Sequence, residues 1–127
     1  MSDTLTRAFT LGDLVTVRHQ VERYAARHGL GGLALYRFVV AVNELTTNAV
    51  RHGGGTGRLE LRHTGTVLQC RVADQGPGMP AAPDLDTPPA PRAVNGRGLW
   101  LVRQIAASLD IDSHPSGISV TLTTQVA

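Results

Sequence analysis

The chain has 127 residues, a mass of 13.5 kDa and a formal net charge of +2. This length suits one domain and is enough to bury a core without disulfides or a structural metal. Hydrophobic residues make up 42% of the chain and charged residues 17%, which indicates a globular rather than a disordered protein. All the basic residues are arginines, scattered without a dense run, and aromatic residues are few. We therefore expect no nucleic acid among its partners.

The sequence predicts neither export nor membrane insertion. Its N-terminal stretch MSDTLTRAFT lacks an apolar signal core, and no apolar run reaches the length of about 18 residues that a spanning helix needs. Cys70 is the only cysteine, so no disulfide can form within the chain. It lies in the alternating segment TVLQCRVAD and is most simply a small core residue. We expect a soluble, cytoplasmic protein that does not bind a membrane.

A strand and two helices are predicted in the first part of the chain. Residues 4–11 alternate in the way that is typical of a strand. A helical pattern then opens at Gly12 and ends near Gly29, and its apolar face consists of Leu14, Val17, Val21, Tyr24 and Ala25. The second helix is predicted from Leu33 to His52. Its core stripe consists of Leu35, Phe38, Val42, Leu45 and Ala49.

The rest of the chain predicts two hairpins and a third helix. The segments 57–64 and 66–74 both alternate and form the first hairpin. Residues 75–97 have no periodicity and hold six of the seven prolines, which favours a functional lid or a disordered insert. A third helix is predicted over 96–109, and a last hairpin turns near Gly117. The mixture predicts one α+β domain over the whole chain, a sheet with helices on one face.

The second helix carries polar side chains at a regular spacing. Glu44, Asn48 and His52 are each four residues apart, so they lie on one side of the helix. That side lies next to the apolar stripe, where the three side chains would be partly buried at the rim. An amide oxygen suits Mg²⁺, and a carboxylate can accept a proton from an attacking hydroxyl or water. Taken alone, Glu44 also fits an ordinary solvated helix residue.

Two glycine-containing segments extend this pattern. In ADQGPGMP, the Asp74 carboxylate can accept a hydrogen bond from an exocyclic amine, and Gly76 and Gly78 let a flat ring approach the backbone. In NGRGLW, a glycine-rich turn comes directly before a helix, where backbone N–H groups form an anion site. Each segment alone also fits a simple turn. Together they predict a nucleotide site that has an adenine end at Asp74 and a phosphate end at residues 96–99.

The three segments ELTTNAVRHG, DQGPG and GRGLWLV, in this order, resemble the N, G1 and G2 boxes of the GHKL ATPases (gyrase, heat-shock chaperone, histidine kinase and MutL). The resemblance runs from about Leu33 to Leu109. Because the sequence shows no phosphoacceptor helix, sensor or transducer domain, it is most similar to the stand-alone serine/threonine kinases that double as anti-sigma factors. The resemblance implies the Bergerat fold, a two-layer α/β sandwich. In this fold a mixed, mostly antiparallel sheet carries three helices on one face, with a mobile ATP lid at about 78–97.

The resemblance also implies roles for individual residues. Glu44 would be the general base and would reach the metal through water, and Asn48 would be the Mg²⁺ ligand. Asp74 would bind the adenine amine. The other expected cofactor-binding residues are Arg51, His52, Gly76, Gly78, Met79, Gly96, Arg97, Gly98, Leu99 and Trp100. Trp100 also fits a residue that packs on the sheet, and His19, His28, His63 and His114 lack the spacing of zinc ligands.

The expected activity follows from the same resemblance. With ATP and Mg²⁺ as cofactors, the protein would phosphorylate a STAS-domain anti-sigma factor antagonist and sequester a sigma factor, and a homodimer is among the expected assemblies. A second hypothesis is a non-catalytic module whose affinity for a regulatory partner is set by ATP or ADP. The proline-rich lid, in which Arg92 is the only basic residue before the second glycine segment, favours that alternative. A third is a detached histidine-kinase domain that works in trans.

Overall fold

A computed structural model describes residues 4–76 and 97–126, with the side chains of the second range described from Leu99 onward. Gly78, Met79, Gly96 and the rest of the predicted lid before Arg97 lie outside the described residues. The chain begins with strand β1 and a short 3-10 turn, followed by helices α1 and α2. A hairpin of β2 and β3, helix α3 and a hairpin of β4 and β5 complete the order. The bounds are β1 Thr4–Thr10, the 3-10 turn Leu11–Asp13, α1 Leu14–Arg27, α2 Gly32–His52, β2 Thr56–Thr64, β3 Val67–Asp74, α3 Arg97–Ile105, β4 Ser108–His114 and β5 Gly117–Gln125.

The strands form one sheet in the order β1-β2-β3-β5-β4, and the four pairings between them are all antiparallel. The predicted α+β class, a sheet with three helices on one face, is confirmed. The sheet was expected to be mixed and mostly antiparallel, and over the described strands every pairing is antiparallel. None of the helices in the described ranges is both long and apolar enough to cross a membrane.

The core lies between the sheet and the helices. Alternate residues of β2 and β3 point to the helices and are fully buried, among them Leu59, Leu61, Leu68 and Cys70. Burial of each of these leucine side chains stabilises the fold by roughly 1.5–3 kcal/mol. The helical residues that pack on them include most of the predicted stripes. These are Val17, Val21, Tyr24 and Ala25 of α1 and Phe38, Val42, Leu45 and Ala49 of α2.

Helix α3 ends earlier than the sequence pattern predicts. The apolar periodicity extends to Leu109, but the helix ends at Ile105 and Leu109 belongs to β4, paired with Leu122. The backbone N–H of Ala107 donates to the carbonyl oxygen of Thr123 at 2.8 Å, so the chain leaves the helix for the sheet at this point. Pairing with β5 satisfies backbone groups that would otherwise extend the helix, and tertiary context overrides local periodicity here.

The connection between β1 and α1 is fixed by Asp13. Its Oδ2 accepts hydrogen bonds from the backbone N–H of Thr10 at 2.9 Å and from the Thr10 hydroxyl at 3.1 Å. These bonds hold the pKa of the Asp13 carboxyl below its usual range, and the Arg7 guanidinium, 3.4 Å from Oδ1, acts in the same direction. The 3-10 turn is thereby tied to the end of β1.

Cys70 should be inert in the folded protein. Its side chain is completely buried, and this burial raises the pKa of the thiol. We expect a thiol-reactive probe to label the native protein at least about 100-fold more slowly than the denatured chain, because the thiolate is the reacting form. Labelling followed by mass spectrometry with and without denaturant measures this. Equal rates under the two conditions would contradict the placement of Cys70 in the core.

Candidate functional site

The C-terminal end of α2 lies directly against the C-terminal end of β3. Helix α2 closes with a hydrogen bond from the Gly53 N–H to the Ala49 carbonyl oxygen at 2.8 Å. A Cβ added to Gly53 would collide with the carboxyl group of Asp74. A Cβ added to Gly76 would lie 2.5 Å from the Cα of Gly53 and 2.6 Å from the carbonyl oxygen of His52. The first two sequence segments are therefore in contact, and only glycine fits at the contact points.

The polar side chains of α2 divide into two groups. Glu44 and Asn48 are half-buried, next to the fully buried Leu45 and Ala49, so the prediction that they lie at the rim of the core is confirmed. His52 was expected to be partly buried and is instead exposed, as is Arg51. His52 is the last residue of the helix, and the chain turns toward Asp74 at Gly53, so the imidazole is left outside the packed interface.

Asp74 ends β3 and organises the turn that follows it. Its Oδ1 accepts a hydrogen bond from the backbone N–H of Gly76 at 2.9 Å, and the residue is half-buried. A carboxylate has two oxygens and about four acceptor positions, so one turn bond leaves room for an exocyclic amine of a ligand. The side chain is both an element of the turn and a candidate recognition group.

The third segment lies at the start of α3, which packs against α2. The side chain of Leu99 is 2% exposed and belongs to the core, so only its backbone N–H could contribute to an anion site. Trp100 is half-buried. Arg97 and Gly98 form the first residues of the helix, where backbone N–H groups lack intrahelical acceptors.

A shallow cavity of about 520 Å³ opens at the same end of the sheet. It shares Asp74 and Gln75 with the candidate site, but none of its lining residues comes from α2. Its lining residues are Ala8, Phe9, Thr10, Asp13, Thr56, Gly57, Arg58, Ala73, Asp74 and Gln75. The cavity therefore borders the Asp74 end of the site and is separate from the Glu44 end.

Two histidines of the described residues make ring contacts. Within residues 4–76 and 97–126 no three His, Cys, Asp or Glu side chains are grouped closely enough to hold a metal. The rings of His28 and His63 pack at a tilt with centroids 4.8 Å apart, and the ring of His28 also packs at a tilt against Tyr24 at 4.4 Å. These imidazoles join the end of α1 to β2.

The sequence matches the family model of the histidine kinase-like ATPase domain over residues 8–124. The chain belongs to this family. The predicted resemblance to the histidine kinase-like (GHKL) ATPases is thus confirmed. In this kinase-like ATPase domain the described parts of the three sequence segments lie at the C-terminal end of α2, at the C-terminal end of β3 and at the start of α3.

Solved structures show the same fold at low sequence identity. The RsbU and RsbW domains of Rv1364c from Mycobacterium tuberculosis match with a TM-score of 0.73 and 21% identity. That match covers 97% of this chain but only 32% of the other, so this domain spans about a third of that protein. The catalytic domain of histidine kinase ThkA matches with a TM-score of 0.59 and 16% identity, over 95% of each chain. The mycobacterial sensor histidine kinase MprB matches at 0.58 and 15%, over 95% of this chain and 97% of that one. No curated protein shows significant similarity to the sequence.

Sequence reasoning missed two residues of this kinase-like ATPase domain that lie against Asp74. In the sequence, Gly53 is one of three consecutive glycines after a predicted helix, and Gly117 is predicted as a turn residue. Both make close backbone contacts with Asp74 or the residue after it. A glycine that a turn requires and a glycine that a close approach requires look alike in a single sequence, so nothing in the pattern distinguishes them.

Proposed function

We propose that this domain binds ATP with Mg²⁺ and transfers the γ-phosphoryl group to a Ser or Thr of a STAS-domain anti-sigma factor antagonist. In the same proposal it also sequesters a sigma factor. The observation that carries the proposal is the contact between Asp74 and the end of α2, the helix that holds Glu44 and Asn48 at its half-buried rim. In this proposal the adenine-binding carboxylate and the α2 pair of general base and metal ligand belong to one site, and the packing of the end of α2 on Asp74 supports it.

The chain's own residues can divide the work of phosphoryl transfer. The Glu44 carboxylate accepts the proton of the attacking hydroxyl, whose oxygen bonds to the γ-phosphorus as the bond to the β–γ bridging oxygen breaks and ADP leaves. Glu44 is intermediate in burial, so it is shielded on one side and still reachable by a protein substrate. Asp74 holds the opposite end of the nucleotide, which orients the γ-phosphate relative to Glu44.

The donor set on α2 fits Mg²⁺ better than a softer metal. Asn48 offers a neutral amide oxygen and Glu44 a carboxylate, one helical turn apart and both at the rim. Mg²⁺ prefers oxygen ligands and keeps waters and substrate phosphates, so one or two protein groups suffice. When bound, the ion would neutralise charge on the phosphates.

The similar structures support two different kinds of substrate, a partner protein of sigma factor control and a histidine. The matching structure from Mycobacterium tuberculosis contains RsbU and RsbW domains in one chain, which favours a partner-switching system of sigma factor control. The matches to ThkA and MprB are both histidine kinases, which favours the second candidate, a domain that phosphorylates a histidine in trans. Acid stability of the phosphorylated product separates the two candidates.

The test is phosphorylation in a soluble extract of the source organism with ATP labelled at the γ-phosphate. The purified protein, Glu44→Ala and the matched control Glu22→Ala, which alters an exposed glutamate of α1, are compared at equal concentration. We expect one small protein to carry acid-stable label on Ser or Thr. Glu44→Ala should reduce its labelling roughly 100-fold, since general-base catalysis contributes about that much. ATP affinity should change little in either variant.

Three results would contradict the proposal. Acid-labile label would indicate a histidine substrate. Equal labelling by wild type and Glu44→Ala would exclude Glu44 as the base. ATP binding without any label would favour a module whose partner affinity is set by the nucleotide.

A further inference from the structure

Two glycines from separate elements enclose Asp74. Gly53 follows the last residue of α2, and its Cα faces the Asp74 carboxyl so closely that a Cβ there would collide with the Asp74 Cβ and Cγ atoms. The helix end therefore packs on the side chain itself. Any displacement of the helix end by a methyl group would push directly on the carboxylate.

The second glycine lies in the C-terminal hairpin. Gly117 is the first residue of β5 and is buried. A Cβ on Gly117 would collide with the Asp74 carbonyl oxygen and would lie 3.1 Å from its carbonyl carbon and 3.2 Å from the Cα of Gln75. The hairpin thus packs on the backbone of Asp74, and the next residue, Ile118, is the register partner of Asp74 across the sheet.

The Asp74 side chain is restrained from a third direction. Its Oδ1 accepts the Gly76 N–H at 2.9 Å, and Gly76 packs on Gly53. The carboxylate orientation is therefore set by contacts at its backbone, at its side chain and at one oxygen. These steric contacts hold the Asp74 carboxylate in place without any change of protonation or conformation.

We propose that Gly53 and Gly117 are positioning residues that set the preference of the site for a 6-aminopurine over a 6-oxopurine. This inference rests on the proposed binding of ATP. A carboxylate accepts a hydrogen bond from a 6-amino group, but it faces another acceptor when the base carries a 6-oxo group. A hydrogen bond weakens steeply when its angle or distance departs from the optimum, so a small shift of Asp74 reduces the preference.

The experiment measures dissociation constants for ATP and for inosine triphosphate, which carries an oxygen in place of the exocyclic amine. Wild type, Gly53→Ala and Gly117→Ala are compared by titration calorimetry. The matched control is Gly31→Ala, a glycine-to-alanine change at the N-cap of α2, where a Cβ would meet nothing within 4 Å. Circular dichroism and thermal melts monitor the fold of each variant.

We expect wild type and Gly31→Ala to prefer ATP by roughly tenfold or more, the scale of one hydrogen bond to a charged group. Gly53→Ala and Gly117→Ala should each lose about fivefold or more of this preference, mainly through weaker ATP binding. In an Asp74→Ala background the Gly117→Ala change should no longer alter the ratio, because it acts through Asp74.

The outcomes separate this inference from the proposed function. A wild type that binds neither nucleotide overturns both. A wild type that prefers ATP, with a folded variant that keeps the full preference, overturns the positioning role alone. An equal loss of affinity for the two nucleotides, or failure of both variants to fold, would show that the glycines serve only the fold and would also overturn it.

Discussion

Replacing Asp74 by alanine is expected to lower the affinity for ATP about 100-fold, the upper range for loss of a hydrogen bond to a charged group. The change removes the proposed acceptor of the adenine amine. It also removes the acceptor of the Gly76 N–H, a bond of 2.9 Å in the turn that shapes the site. Both losses act at the base end, so affinity should fall for ATP, ADP and AMP alike. Titration calorimetry with the three nucleotides measures this.

The control for this variant is Asp110→Ala, which alters an exposed carboxylate of β4, one of the two edge strands of the sheet. It should bind ATP as wild type does. Retention of ATP affinity by Asp74→Ala would exclude base recognition by this carboxylate. Asp74→Asn is a more specific test, because the asparagine amide can donate a hydrogen bond to a 6-oxo group. This variant should shift the nucleotide preference toward inosine triphosphate.

The parts of the fold that local pattern determines were predicted correctly. The alternation in β2 and β3 places every second residue in the core, and a one-residue slip would expose Leu59 and Leu61, so the register is strongly specified. The period of α2 likewise fixed which of its residues are buried. Glu44 and Asn48 could be placed at the rim for the same reason, since their positions follow from the stripe beside them.

Features that depend on contacts between distant segments could not be predicted. Helix α3 ends at Ile105 because the residues after it pair with β5. The residues near the helix in the sequence do not reveal this pairing. The contact of Gly117 with Asp74 joins residues more than forty positions apart, and it arises only because β5 lies beside β3. The exposure of His52 follows from the turn at Gly53, whose cause is the packing of Gly53 on Asp74.

The Asn48→Ala variant should separate metal binding from nucleotide binding. Asn48 is half-buried on α2, one turn beyond Glu44, and supplies the proposed amide ligand of Mg²⁺. Its loss should reduce phosphoryl transfer by about 1,000-fold, because the charge on the transferring group is then poorly neutralised. Binding of ATP without metal should be almost unchanged, since the Asp74 end of the site is intact.

The measurement is ATP affinity with Mg²⁺ and with a chelator, together with the rate of phosphoryl transfer. Wild type should bind ATP more tightly with Mg²⁺, whereas Asn48→Ala should bind equally under both conditions. Asn43→Ala is the matched control, an amide of the same helix and the same intermediate burial. The backbone carbonyl of Asn43 accepts a hydrogen bond from the Thr46 hydroxyl at 3.1 Å, and this bond survives the substitution. If Asn48→Ala keeps the Mg²⁺ dependence of wild type, the ion is held without this amide, and the role of α2 in phosphoryl transfer would rest on Glu44 alone.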